Sequence, residues 1–268
     1  MRRRSRRPEL AVEPATQSTG FNLVALALVR FTPEVRNPII AALDVPTADA
    51  ALKLAGLIAP VVAAFKIGSE LFTSAGPDIV KQVRDTGASV FLDLKFHDIP
   101  NTVAKAVASA TRLGVQMLTI HTSGGVEMMN VAREAAARTA ADARREAPLI
   151  LGVTVLTSMN DQSLAETGCN SSVGTQVERL ARLAATAGLG GLVCSPLELA
   201  SLRKLVPQEM KFVTPGIRTG NEQVDDQKRT LTPREAMQAG ASWLVIGRPI
   251  YAAPEPRKAA EAILASLQ

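Results

Sequence analysis

The segment Phe91-Leu-Asp93-Leu-Lys95-Phe-His97-Asp98 sets a carboxylate, an ammonium and a second carboxylate close together at the end of an apolar run. Side chains two apart in an extended strand project to the same side, so Asp93 and Lys95 share a face, while Asp98 falls just beyond, in the loop. Flanking carboxylates favour a charged lysine. Such a lysine is suited to donate a proton or stabilise negative charge rather than to attack as a neutral amine, which argues against a Schiff base. A solvated, ion-paired loop carries the same residues, so the surrounding fold has to decide between the two readings.

From Pro38 onward, eight short apolar runs of β type alternate with helix-patterned stretches, at residues 39–43, 63–67, 89–94, 117–121, 149–155, 191–194, 211–214 and 243–246. In residues 102–113, Val103, Ala106, Val107, Ala110 and Leu113 mark one helical face, with Pro100 and Asn101 as a start signal and Gly114 as a stop. Near-continuous apolar strands alternating with helices predict a parallel sheet covered by helices. Eight pairs favour closure into a single (β/α)8 TIM barrel over a doubly wound open sheet. We therefore expect an α/β barrel domain over residues 37–268, preceded by an Arg-rich, disordered extension over residues 1–36.

The polar residues reinforce this reading. Asp44, Lys66, Asp93, Lys95, His121, Thr157, Ser158, Ser195, the stretch from Pro215 to Arg218, and Gly247 with Arg248 all fall at the C-terminal ends of the runs. Barrel enzymes build their sites on that face, so these residues should converge on one mouth.

With 268 residues, 47% hydrophobic and 21% charged, the chain has the balance of a protein that buries one large core, which disfavours disorder and coiled coil. Five of its 30 basic residues are Arg2, Arg3, Arg4, Arg6 and Arg7, in an acid-free stretch; the rest balance the 25 acids. The body is thus neutral and offers no extended basic face for nucleic acid. The apolar run at residues 23–29 is far too short to span a bilayer and is not followed by the usual small-residue cleavage site, although the Arg-rich start leaves room for an amphipathic targeting peptide. Cys169 and Cys194 make no disulfide framework, and two histidines leave few metal-ligand combinations, so a reduced, cytoplasmic setting is expected.

The segment DLKFHDIPNT, with Ala-Leu-Asp44, Phe-Lys66-Ile-Gly, Val-Thr-Val-Leu-Thr157-Ser158, Val-Thr-Pro-Gly-Ile-Arg218 and Val-Ile-Gly247-Arg248-Pro, resembles the orotidine 5′-phosphate decarboxylases in order along residues 38–268. The resemblance implies conversion of orotidine 5′-phosphate to uridine 5′-phosphate and CO2 in pyrimidine biosynthesis, without metal or cofactor. It also implies that Lys95 stabilises the C6 carbanion and protonates it, and that Asp93 lies against the departing carboxylate and holds Lys95. Asp98 and Thr102 would reach the ribose of the neighbouring subunit's ligand, so that the site is complete only in a homodimer. Asp44 and Lys66 would contact ribose hydroxyls, and Thr157 and Ser158 the pyrimidine.

Loops after the seventh and eighth strands commonly hold phosphate in barrel enzymes. Here they offer Pro215, Gly216, Arg218, Gly247 and Arg248, and by resemblance Gln227, Arg248 and the Gly247 amide take the phosphate with Arg218 in support, as the polar loop 218–232 folds over. Plainer readings suit the other conspicuous residues. His97 orients or packs, His121 is a hydrogen-bonded core or mouth histidine, Cys194 and Trp243 pack, and Met128 and Met129 lie in a helix core, with Cys169 unassigned.

Two alternatives are weaker. Metal-dependent hexulose-phosphate synthases and keto-gulonate-phosphate decarboxylases share Asp-x-Lys-x-x-Asp, but hold their cation partly through a glutamate at the end of the second strand, where this chain has Lys66. A non-catalytic binder recruited through the basic tail leaves the Asp93, Lys95, Asp98 array without a purpose.

Overall fold

The computed structural model describes residues 37–218 and 231–267; the extension 1–36 and Gln227 lie outside them. The apolar runs form eight strands: β1 (Ile39–Ala42), β2 (Ala64–Gly68), β3 (Ser89–Phe96), β4 (Met117–His121), β5 (Leu149–Val153), β6 (Gly191–Val193), β7 (Lys211–Thr214) and β8 (Trp243–Ile246). All neighbours pair in parallel and in chain order, and β1 pairs with β8, closing the barrel. Among the described residues the connecting helices are α1 (Ala48–Ile58), α2 (Ser69–Ala75), α3 (Asp78–Arg84), α4 (Pro100–Arg112), α5 (Gly125–Asp142), α6 (Asp161–Glu166), α7 (Val173–Thr186), α8 (Leu199–Leu202), α9 (Pro233–Gln238), α10 (Arg248–Tyr251) and α11 (Pro256–Ala265). None is long and apolar enough to cross a membrane.

The two-residue period of a strand divides the core. Ile40, Ala42, Ala64, Phe91, Met117, Leu149, Leu151, Val213, Trp243 and Val245 fill the barrel's interior. Their strand neighbours, such as Ile39, Ala41, Phe65, Leu92, Leu118 and Phe212, pack outward against the helices, where Met128 and Met129 of α5 and Cys194 are also buried. Helix ends follow local chemistry. Thr47 caps α1 by accepting the Ala50 N–H, Pro100 opens α4 where its missing N–H costs nothing, and after α4 the chain turns at Gly114 with φ of +77°.

The strands end within two residues of their expected limits; β5 stops two short at Val153, and β3 runs two further, through Lys95 to Phe96. Its register against β4 shifts on the way: Leu92 pairs with Leu118, and the next pair is Phe96 with Ile120. Lys95 sits inside this bulge with φ of +51°. Asp93 and Lys95 therefore meet across an irregular backbone, not as same-face neighbours of the regular strand that the spacing suggests.

At the opposite end of the barrel, the Arg203 guanidinium donates to the carbonyls of Gln208, Met210 and Gly240 and lies 3.9 Å over the Phe212 ring. Burial lowers its pKa from the usual arginine range. It fastens together the segments that lead into β7 and β8.

Candidate active site

The inward columns of side chains turn polar as they reach the C-terminal ends of the strands. Ile40 and Ala42 lead to Asp44, Ala64 to Lys66, Phe91 to Asp93, Met117 to Thr119 and His121, Val213 to Pro215, and Trp243 and Val245 to Gly247. The same alternation that fills the barrel thus delivers the charges to its mouth. A cavity of about 370 Å³ opens there, lined by Asp44, Lys66, Asp93, Lys95, Thr157, Pro215, Gly216, Arg218, Gly247 and Arg248 among others.

Two ion pairs stand on adjoining strands. Lys95 Nζ lies 2.9 Å from Asp93 Oδ2, with 35% of the lysine side chain and 13% of the aspartate exposed. Lys66 Nζ lies 2.8 Å from Asp44 Oδ1, with the lysine largely enclosed at 12%. A Cβ on Gly68 would come within 3.1 Å of Lys66 Nζ, so the missing side chain at that position makes room for this pair.

Thr119 of β4 joins the first pair. Its hydroxyl accepts the Lys95 backbone N–H at 2.8 Å and donates to Asp93 Oδ1 at 3.0 Å, so both carboxylate oxygens are engaged. Left-handed backbone at a non-glycine residue costs about 1–2 kcal/mol, and these bonds are among the contacts that hold it. Sequence reasoning missed Thr119. The signal was available, since it stands two positions before His121 and therefore on the same inward face.

His121 is half-buried beside this cluster, its ring centroid 5.3 Å from that of His97. Burial is the main cause that lowers its pKa, followed by the neighbouring His97 and Lys95, with Asp93 opposing. The imidazole is accordingly neutral near pH 7 and adds no further cation next to Lys95.

On the other side, Arg218 and Arg248 face the cavity from the loops after β7 and β8. The Arg218 backbone N–H donates to Leu231 O at 3.0 Å. Tyr251, at the end of α10, also lines the cavity. Burial raises its phenol pKa, with Arg248 opposing, so it remains a protonated donor.

The structure thus brings together Asp44, Lys66, Asp93, Lys95, Thr157, Pro215, Arg218, Gly247 and Arg248. Ser158, beside Thr157 in the turn after β5, is exposed and does not line the cavity. Asp98 and Thr102 are exposed and do not line the cavity of their own chain; Asp98 Oδ1 instead accepts the Ile99 N–H. Ser195 is fully buried and caps the turn at Leu197, so it does not reach the mouth. Tyr251, Phe91 and Val193 are lining residues that were read only as parts of strands or not singled out.

A wider hollow of about 550 Å³ runs along Thr157, Met159, Asn160, Asp161, Gln162, Val173 and Gly174. The Asp161 carboxylate there accepts the Val173 N–H, and among the described residues no cationic side chain lines the hollow, whereas the smaller cavity holds two lysines and two arginines.

Residues 37–263 match the model of the orotidine 5′-phosphate decarboxylase / HUMPS family. The chain is 50% identical over 231 residues to an orotidine 5′-phosphate decarboxylase of Dichelobacter nodosus, covering 86% of this chain and 99% of that one. It is 56% identical over 203 residues to the enzyme of that name from Opitutus terrae, covering 76% and 86%. Among solved structures, the orotidine 5′-phosphate decarboxylase of Lactobacillus acidophilus superposes with a TM-score of 0.77 at 35% identity, covering 87% of this chain and 99% of that chain.

Proposed function

The chain belongs to the orotidine 5′-phosphate decarboxylase / HUMPS family, and we propose that it converts orotidine 5′-phosphate to uridine 5′-phosphate and CO2 in pyrimidine biosynthesis. The observation that carries this reading is the Lys95 ammonium, held 2.9 Å from a largely buried carboxylate in the same cavity as two arginines. Breaking the bond between C6 and its carboxylate leaves an electron pair in an in-plane orbital that the ring cannot delocalise. A fixed cation beside C6 stabilises that charge as it develops. Lys95 then gives C6 a proton and regains one from solvent, so the reaction needs no oxidant and leaves no net change in the protein. Asp93 holds the ammonium in place and lies against the departing carboxylate.

Asp44 and Lys66 offer an acceptor and a donor to ribose hydroxyls, and Thr157 a contact to the pyrimidine. Arg248, the Gly247 amide, Gln227 and Arg218 take the phosphate, with Pro215 beside them; forked guanidinium groups suit a dianion. At the β2 end, where the metal-dependent sugar-phosphate barrels place a glutamate, Lys66 would repel a divalent cation, and the reading is therefore of metal-free and cofactor-free chemistry.

The site draws on a second copy of the chain. Asp98 and Thr102 lie outside their own cavity, and Ile99 beside Asp98 is 67% exposed, an apolar side chain suited to a subunit contact. In a two-fold dimer these residues reach the partner's ribose site. The two cysteines are free, in keeping with a cytoplasmic protein.

Following the absorbance loss of orotidine 5′-phosphate with EDTA-dialysed protein tests the reaction. Steady metal-independent turnover is expected, and turnover that appears only on adding magnesium would overturn it. Mixing Lys95→Ala with Asp98→Ala protein tests the shared site. Random reassociation makes half of the dimers hybrids with one intact site each, so about a quarter of wild-type activity should return. No recovery on subunit exchange would place Asp98 in its own chain's site.

A further inference from the structure

Between the pairs Leu92 with Leu118 and Phe96 with Ile120, β3 has three residues where β4 has one, and that one is Thr119. Its hydroxyl meets two of the three: it accepts the N–H of Lys95 and donates to the carboxylate of Asp93. Asp93 in turn takes Lys95 Nζ through its other oxygen. The chain of contacts closes on itself, from the Lys95 backbone through Thr119 and Asp93 to the Lys95 ammonium.

Thr119 is fully buried and does not line the cavity, so water does not compete for these bonds and the hydroxyl does not touch a bound ligand. On its other side it is paired with Leu151 of β5, which fixes its own position. One atom that both accepts and donates is needed here, and among side chains of this reach only threonine and serine supply it.

We propose that Thr119 is a positioning residue for the decarboxylation, locking the bulged backbone at Lys95 and the orientation of Asp93 so that the ammonium is held at the reacting carbon. This inference rests on the role proposed above for Lys95. Its consequence is selective. Removing the hydroxyl loosens the ammonium and slows the chemical step, while the phosphate contacts and the ribose contacts of Asp44 and Lys66, carried by other strands, are unaffected. A misplacement of about 1 Å at a reacting group can cost on the order of a hundredfold in rate.

The test compares Thr119→Val, which keeps the shape and loses the hydroxyl, with Thr119→Ser, which keeps the hydroxyl. We expect kcat to fall roughly 10- to 100-fold in Thr119→Val with KM within about threefold of wild type, and Thr119→Ser to recover most of the loss. Wild-type kcat in Thr119→Val, equal losses in both variants, or a rise in KM in place of the kcat loss would overturn the proposal.

A second readout does not depend on activity. Reductive ¹³C-methylation gives each lysine an NMR resonance, and that of Lys95 is identified by its absence in Lys95→Ala. It should move toward the solvent-exposed position in Thr119→Val and stay in place in Thr119→Ser. An unmoved resonance in Thr119→Val overturns the positioning role even if the wild type is active. A shifted resonance in a protein inactive on orotidine 5′-phosphate would instead sink the reading of function and leave the positioning role standing.

Discussion

The β3–β4 seam and the β7–β8 seam both end at the cavity, and they are built differently. Across β7 and β8 the register is regular, Val213 with Trp243 and Thr214 with Leu244, and Arg203 ties the approaches to these strands from below. What this seam presents are loops with glycines and two arginines. Across β3 and β4 the register slips, a lysine takes a left-handed backbone and a buried threonine bridges the gap. On the roles proposed above, the difference follows the demands of the two ends. A phosphate dianion is large and symmetric, and is gripped by several donors from flexible guanidinium groups and backbone amides. A single carbon atom needs one proton donor in one place, and the protein accepts local strain to fix it.

The largest expected effect that separates the two seams is on chemistry. Lys95→Ala should lower kcat by about a thousandfold or more, since it removes both the proposed proton donor and the compensating charge. Steady-state decarboxylation measures this, and a loss of tenfold or less would break the comparison. Arg248→Ala should act on the other side, raising KM and weakening uridine 5′-phosphate binding by about 10- to 100-fold, the cost of one charge-assisted pair. If kcat at saturation fell as far as KM rose, the division between a reacting end and a gripping end would be too sharp.

The interior beneath both seams sets a third expectation. Phe91, fully buried below Asp93 and a partner of Lys66 in the register, should cost about 3–5 kcal/mol when truncated to alanine, read as a shift in the denaturant midpoint. The smallest effect concerns His121. Its folded pKa is lowered, so its contribution is present above the unfolded value near 6.5 and is lost as pH falls through the lower folded value. Thermal stability should therefore decline on acidification below about pH 6.5, and His121→Asn should flatten that decline. An unchanged slope in the variant would show that His121 gains its proton freely in the folded protein.

Much of this was legible in the chain itself. The eight apolar runs at their spacing specify a closed parallel barrel, because a strand buried on both faces shows near-continuous apolarity. The charged residues at the run ends follow from the same geometry, and six of them, Asp44, Lys66, Asp93, Lys95, Arg218 and Arg248, line one cavity. The bulge in β3 was not legible, because nothing in Asp-Leu-Lys-Phe requires a residue with positive φ, and a lysine there runs against local preference. Thr119 went unnoticed for a related reason: within Met-Leu-Thr-Ile-His it reads as an ordinary β-former, and its role exists only against the displaced strand beside it. Ser195 erred in the other direction. A serine at a strand end looks like a mouth residue, but Ser195 itself forms a capping box with Glu198 around the turn that Pro196 opens, and it is fully buried there.

The central claim is that Lys95 acts on the reacting carbon while the β7–β8 seam holds the phosphate independently. The most direct test is the dissociation constant of uridine 5′-phosphate for Lys95→Ala, measured by titration calorimetry on protein whose turnover has been shown to be lost. The account predicts an affinity within about threefold of wild type, because the phosphate grip is intact. An affinity that falls in step with turnover would contradict it and make Lys95 a binding residue.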